Sequence, residues 1–179
     1  MADNERLAAP VIAWIGLGSN LQEPVLQLAK ARQALARLRH TELLWHSRDY
    51  LSKPVGGVPQ PDFLNAVSCL RTHLGPQTLL MALQEIEEQA GRSRSREIPW
   101  GPRVLDLDIL IYGDLQLTKA DLQIPHPQIA RRAFVLLPLA EYDPNLEIPG
   151  LGKVHERLGA VSDQLIWPYP ELSAQQGGG

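Results

Sequence analysis

Apolar residues recur along the first 112 positions with spacings that predict four strands and two long helices. The dense or alternating apolar pattern of strands occurs in four segments: 11–17, 42–51, 63–70 and 104–112. Two longer segments, 23–38 and 76–90, repeat apolar residues at helical spacing. The predicted order is therefore β-α-β-β-α-β.

Each predicted helix has one apolar face. In the first helix it comprises Val25, Leu28, Ala31, Leu35 and Leu38, and in the second Leu79, Leu80, Leu83, Ile86 and Ala90. An antiparallel sheet with both helices on one side is the split-βαβ, ferredoxin-like arrangement of an α+β protein. Further along, we expect a hairpin arm over 115–124 and short helices over 133–141 and 153–161. This fold serves many functions and cannot decide this one.

The chain of 179 residues is long enough for one domain with a sizeable core. We expect a single domain over 1–179, with a core of about 11–165 and a C-terminal tail over 166–179. Within that tail, we expect residues 175–179 to be disordered.

Composition and charge narrow the function classes. With 44% hydrophobic residues and a net charge of −3, the chain has the composition of a soluble globular protein and lacks the basic balance of a nucleic-acid or membrane-surface binder. Cys69 is its one cysteine, so no intrachain disulfide can form, as suits a reducing cytoplasm. The apolar stretch 7–18 is too short to span a bilayer. We expect a cytoplasmic protein that binds neither membrane nor nucleic acid.

Two aspartates in the last predicted strand suggest metal chemistry. Asp106 and Asp108 share a face with Val104, which places the carboxylates roughly 6 to 7 Å apart at about 3.3 Å per residue. No Lys or Arg neighbours them on that face of the strand. Such a pair in an apolar strand favours a hard cation such as Mg²⁺. The alternative is a strand edge whose aspartates face water.

An arginine-rich loop precedes this strand. It carries Arg92, Arg94, Arg96 and Arg103, and Arg131 and Arg132 follow His126. Arginine binds phosphate through paired donors and stays charged at physiological pH. Beside two carboxylates, the loop suggests half of a nucleotide-phosphate site. The alternative is a solvated basic loop.

Other motifs allow both a structural and a functional interpretation. Gly16-x-Gly18 lacks the third glycine of a dinucleotide-binding turn, and we expect Ser19 or Asn20 to cap the first helix. Trp100 and Phe63 are either core residues or stacking surfaces for a planar ring. The Asn65 amide could pair with the edge of a heterocycle. His126 lies between two prolines and is either a phosphate ligand or a surface histidine.

Five segments together resemble the 6-hydroxymethyl-7,8-dihydropterin pyrophosphokinase family, over about residues 11–160. They are Gly16-Leu17-Gly18-Ser19-Asn20-Leu21, Gln60-Pro61-Asp62-Phe63-Leu64-Asn65-Ala66, Gly91-Arg92-Ser93-Arg94, residues 100–110, and 125–134 with Pro125-His126-Pro127 and Arg132-Ala133-Phe134. Pro99 stands where the family usually has a basic residue, and the 92–100 stretch is one residue longer than is common.

The resemblance implies transfer of the pyrophosphoryl group of ATP to 6-hydroxymethyl-7,8-dihydropterin, with AMP leaving, in folate biosynthesis. Asp106 and Asp108 would hold two Mg²⁺ ions. The implied catalytic residues are Arg92, Arg103, Asp106 and Asp108, with Arg92 reaching the triphosphate on loop closure. The implied pterin-binding residues are Ser52, Val55, Phe63, Asn65 and Phe134. The implied ATP-binding residues are Gln84, Glu87, Arg94, Trp100, Arg103, Ile109, His126 and Arg132. We also expect a monomer.

Two other function classes remain open at this point. A D-x-D nucleotide-sugar transferase would also place a metal on paired aspartates, but that class normally needs a longer chain. A non-catalytic split-βαβ module that binds nucleotides or RNA would need exposed aromatic residues on its central strands and a basic surface.

Overall fold

A six-stranded antiparallel sheet forms the centre of the computed structural model, which describes residues 8–92 and 99–170. Its strands are β1 (Val11–Ser19), β2 (Thr41–His46), β3 (Tyr50–Ser52), β4 (Phe63–Thr72), β5 (Asp106–Tyr112) and β10 (Ile166–Pro168). The order is β10-β3-β4-β1-β5, and β2 also pairs with β4. All of these pairings are antiparallel.

Helices and two small hairpins complete the fold. The helices are α1 (Pro24–Ala36), α2 (Pro76–Gln89), α3 (Ala133–Tyr142) and α4 (His155–Leu158), and the hairpins are β6 (Leu117–Thr118) with β7 (Gln123–Ile124) and β8 (Glu147–Ile148) with β9 (Gly152–Lys153). Short 3₁₀ segments cover Ile129–Arg131 and Gly159–Val161. The predicted hairpin arm and short C-terminal helices are therefore confirmed.

The sheet separates two apolar layers, as the alternation along β1 requires. Ala13, Ile15 and Leu17 face the buried residues of α1 and α2. Trp14, between them in sequence, faces α3 on the opposite side. Both main helices thus pack on one face, and the α+β prediction is confirmed.

The predicted strand 42–51 is wrong as a single element, because the chain forms β2 and β3 with a break between them. At the break, the Ser47 backbone N–H donates to the Val67 oxygen at 2.8 Å, and the Val67 N–H donates to the Ser47 hydroxyl at 3.0 Å. The break lets one long strand, β4, pair with both shorter strands. The alternation of apolar residues in the sequence does not reveal that the Ser47 hydroxyl accepts a backbone N–H in place of a backbone carbonyl.

Two details of the first helix also differ from expectation. Val25 is 42% exposed, because the buried face of α1 passes through Gln27 and Leu28 instead. The N-cap residue is Glu23, and no side chain caps the helix. The predicted cap by Ser19 or Asn20 is therefore wrong, and Asn20 has a different role, described below.

The chain beyond residue 165 contributes to the sheet. Ile166–Pro168 pairs with β3, although we expected the tail to begin at 166. The expected disorder of 175–179 lies outside the described residues. Cys69 is 1% exposed, and burial raises the pKa of its thiol to about 11, which fits an inert core residue. Within 8–92 and 99–170, no helix combines the length and apolarity needed to cross a membrane.

Candidate active site

A cavity of about 420 Å³ opens over the face of the sheet that carries the aspartates. Its walls come from β1, β3, β4, β5, the 99–103 loop and the start of α3. It brings together most of the residues that the sequence singled out: Ser52, Val55, Phe63, Asn65, Trp100, Arg103, Asp106, Asp108, His126, Arg132 and Phe134. The 54–61 loop, which contains three prolines and two glycines, borders the cavity through Val55.

Asp106 and Asp108 lie on the floor beside two glycines of β1. Gly18 pairs with Asp106, and Gly16 pairs with Asp108. A Cβ at Gly18 would lie 3.4 Å from the Asn65 Oδ1 and 4.0 Å from the Asp106 Cβ. The Gly-x-Gly segment therefore keeps the cavity floor open beside the carboxylates, a role that its spacing did not indicate.

The two carboxylates face the cavity rather than open solvent. Withdrawal from bulk water, and then the negative charge of Asp106, raise the pKa of Asp108 to about 7, while Arg132 opposes the shift. A nearby cation would stabilise the charged form of such a carboxylate, so the pair of aspartates suits Mg²⁺. Among the described residues, no third His, Cys, Asp or Glu completes a metal-binding cluster. Two carboxylates leave most ligand positions of Mg²⁺ to water and phosphate oxygens.

Arg92 contacts Asp106 from outside the strand, although no Lys or Arg neighbours the aspartates on their own face of it. Its Nη1 donates to the Asp106 Oδ1 at 2.6 Å and to the Glu87 Oε1 at 2.5 Å. The Arg92 side chain is 9% exposed and does not line the cavity. The pattern along the strand could not indicate this contact, because the arginine lies 14 residues upstream and reaches β5 from beyond the end of α2.

His126 is a neutral donor beside Asp108. The Gln128 backbone N–H donates to the His126 Nδ1 at 3.1 Å, which leaves the ring proton on Nε2, 3.7 Å from the Asp108 Oδ2. Burial, and then the charge of Arg132, lowers the pKa of the imidazole to about 4. The Nε2–H can therefore donate into the cavity at neutral pH.

Arg132 joins two aromatic rings at the mouth of the cavity. Its guanidinium carbon lies 5.9 Å from the centre of the Trp100 ring and 5.5 Å from that of the Phe134 ring, within cation–π range. Trp100 is 53% exposed, so it is not a core residue. The site thus has aromatic faces and a fixed positive charge above two carboxylates.

A small polar pair lies deeper in the cavity. The Asn65 Nδ2 donates to the Ser52 hydroxyl at 2.9 Å, and both residues are at least 95% buried. They come from the paired strands β3 and β4, next to the half-buried ring of Phe63. A flat ring against Phe63 would place its polar edge within reach of this pair.

Asn20 ties three loops of the site together. Its Oδ1 accepts from the Arg103 backbone N–H at 2.8 Å, and its Nδ2 donates to the Gln60 Oε1 and the Pro61 oxygen, both at 3.0 Å. The Gln60 Nε2 in turn donates to the Trp100 oxygen at 2.7 Å. The wall residues Trp100 and Arg103 are therefore positioned from across the cavity.

Three of the implied ATP-binding residues do not line the cavity. Gln84 lies in a separate surface groove along α2. Ile109 is 3% exposed and packs in the layer of α1 and α2, and Glu87 is 1% exposed beneath β5. Arg94 lies outside the described residues. Conversely, Lys53 lines the cavity although its sequence context gave no signal for it.

Comparison with known proteins identifies the family of this chain. The family model described as 7,8-dihydro-6-hydroxymethylpterin-pyrophosphokinase matches residues 14–144. A 2-amino-4-hydroxy-6-hydroxymethyldihydropteridine pyrophosphokinase of Pseudomonas aeruginosa is 46% identical over 157 residues, covering 88% of this chain and 96% of the relative. The protein of the same name from Haemophilus influenzae is 43% identical over 153 residues, covering 86% and 94%.

Solved structures show the same fold at low sequence identity. An HPPK-DHPS in complex with substrates has a TM-score of 0.63 at 13% identity, covering 85% of this chain and 43% of that one. The wild-type Plasmodium falciparum HPPK-DHPS with STZ-DHP has a TM-score of 0.61 at 14% identity, covering 84% and 41%. This chain spans less than half the length of those two proteins. From the family match and the two bacterial relatives, the chain belongs to the 7,8-dihydro-6-hydroxymethylpterin-pyrophosphokinase family.

Proposed function

We propose that the cavity is the active site in which this enzyme transfers the pyrophosphoryl group of ATP to 6-hydroxymethyl-7,8-dihydropterin, giving the pterin diphosphate and AMP for folate biosynthesis. The observation that carries the proposal is the position of Asp106 and Asp108, between a polar-edged aromatic slot and a group of cationic and neutral donors. In the reaction, the hydroxymethyl oxygen bonds to the β-phosphorus while the bond from that phosphorus to the AMP oxygen breaks.

The aromatic slot suits the pterin. Phe63 and Phe134 offer ring faces, and Asn65 with Ser52 offers donors and acceptors to the edge of the heterocycle. Val55 borders the same space from the 54–61 loop. These contacts would orient the hydroxymethyl group toward the carboxylates.

The opposite wall suits the triphosphate. Arg103 and Arg132 supply fixed positive charge, and the His126 Nε2–H supplies a neutral donor. Trp100 covers this side. Phosphoryl transfer depends mainly on positioning and charge neutralisation, and these donors provide both without forming covalent bonds to the substrate.

Asp106 and Asp108 would hold Mg²⁺, and we propose two ions. When bound, the metal supplies charge neutralisation along the triphosphate and helps align attacking and leaving oxygens. The chain's own part is to fix the two carboxylates side by side in the cavity. We further propose that the protein acts as a cytoplasmic monomer without nucleic acid.

The direct test is the identity of the nucleotide product. Purified protein with ATP, Mg²⁺ and 6-hydroxymethyl-7,8-dihydropterin should form AMP, and omission of either pterin or metal should abolish it. Chromatography separates the nucleotides. ADP in place of AMP would mean attack at the γ-phosphorus and would overturn the proposal, as would the absence of turnover from folded protein. The rival transferase and RNA-binding functions both predict no pterin-dependent AMP.

Arg132→Lys should raise the KM for both substrates by about 10-fold with a smaller change in kcat. Lysine keeps the charge but loses the flat guanidinium that lies against Trp100 and Phe134, and a desolvated cation–π contact contributes up to about 2 kcal/mol. Steady-state kinetics on each substrate checks this. Arg131→Lys, one residue earlier and exposed, is the matched control and should leave both constants unchanged.

A further inference from the structure

Glu87 is a buried carboxylate that contacts the metal-binding segment from below. It lies on α2 and is 1% exposed. Its Oε1 accepts the Leu107 backbone N–H at 2.7 Å and an Nη1–H of Arg92 at 2.5 Å. A buried charge of this kind is retained only when it is paired and hydrogen-bonded, and both conditions hold here.

The bond to Leu107 acts on the backbone between the two aspartates. β5 is an edge strand that pairs with β1 on one side. On its other side, Glu87 accepts the N–H that a further strand would have taken. Leu107 is the residue between Asp106 and Asp108, so this bond limits how far both carboxylates can shift.

The bond to Arg92 acts on the charge of Asp106. Arg92 Nη1 also donates to the Asp106 Oδ1 at 2.6 Å, so one guanidinium lies between two carboxylates. Glu87 pulls the positive charge away from Asp106 and thereby weakens its hold. Without that pull, Arg92 would pair more strongly with Asp106 and compete with a metal for the same oxygen.

We propose that Glu87 is a positioning residue for the metal-binding carboxylates. It fixes Asp106 and Asp108 through the Leu107 backbone, and it weakens the pairing of Arg92 with Asp106. This inference rests on the proposed function of the cavity. It differs from the role that the family resemblance implied, since Glu87 is covered by α2 and β5 and does not line the cavity.

The test compares ATP binding with and without Mg²⁺. In E87Q, the amide oxygen can still accept the Leu107 N–H, but the negative charge that holds Arg92 is gone. Isothermal titration should show about 10-fold weaker binding of ATP in saturating Mg²⁺ and less than 2-fold change in EDTA. Equal losses in both conditions would make Glu87 a nucleotide contact and overturn the inference, as would unchanged affinity in Mg²⁺.

A double substitution shows whether Glu87 acts through Arg92. In an R92M background, E87Q should change the affinity for ATP with Mg²⁺ by less than 2-fold, because the competing cation is absent. The comparison of R92M with E87Q/R92M also serves if E87Q alone does not fold, since the double variant replaces both members of the Glu87–Arg92 ion pair by neutral side chains. A 10-fold loss in the R92M background would overturn the inference.

Failure of this inference is distinguishable from failure of the proposed function. If the unmodified enzyme forms no AMP, the function itself is wrong. If it forms AMP, and E87Q binds ATP with Mg²⁺ as the unmodified enzyme does, only the role of Glu87 is wrong.

Discussion

Asp108→Ala should lower turnover by at least about 100-fold. Removing one strong electrostatic contributor to a transition state costs on the order of 3 kcal/mol. Asp108 is well placed for such a role, because it lines the cavity close to Asp106. Burial and the charge of Asp106 raise its pKa to about 7, so a cation bound there would stabilise its charged form. The loss should appear in kcat at saturating ATP and Mg²⁺.

A matched pair of variants separates charge from shape at this position. Asp108→Asn keeps the volume of the side chain and should lose nearly as much activity as the alanine variant. Asp163→Asn removes an exposed aspartate far along the chain and should leave turnover unchanged. Turnover within a few-fold of the unmodified enzyme in both Asp108 variants would exclude this carboxylate as a metal ligand.

Asn20→Ala should lower the free energy of unfolding by about 3 kcal/mol, since the side chain makes three hydrogen bonds to partly buried groups, each with a net contribution of about 1 kcal/mol. It should also lower turnover, because Gln60 and the Arg103 backbone lose the bridge that positions the cavity walls. Urea unfolding at constant pH measures the first effect, and the pterin-dependent rate of AMP formation measures the second.

Asn20→Asp is the informative control for this bridge. The carboxylate can still accept the Arg103 N–H, but it cannot donate to the Gln60 Oε1 or the Pro61 oxygen. Its unfolding free energy should drop by at least as much as two lost bonds imply, about 2 kcal/mol. If the alanine variant unfolds at the same urea concentration as the unmodified protein, Asn20 does not hold the loops together.

The local sequence pattern was sufficient to predict most of the strands and helices and the two aspartates on the floor of the site. The helical spacing of Leu28 and Leu79 predicted which faces pack against the sheet, because burial follows the 3.6-residue period. The two-residue period of a strand predicted that Asp106 and Asp108 share a face. Both features depend on short stretches of chain, where sequence and geometry are linked directly.

Contacts between distant segments could not be predicted in the same way. Asn20 follows a strand and precedes a helix, which is typical of a cap, yet it bonds to residues 40 and 83 positions away. Arg92 belongs to a basic run typical of a solvated loop, yet its guanidinium is paired beneath β5. In each case the side chain has several possible partners, and only the packing of the elements selects one.

The short strand β10 also affects the tendency of the protein to aggregate. It covers the outer side of β3, the strand that contributes Ser52 to the cavity, and the Lys53 N–H donates to the Leu165 oxygen at 3.3 Å just beyond the pairing. An uncovered strand offers a row of free N–H and C=O groups to other chains, which is a common route to aggregation. The C-terminal segment thus covers an edge of β3 that would otherwise be open to other chains, and we expect its removal to promote aggregation.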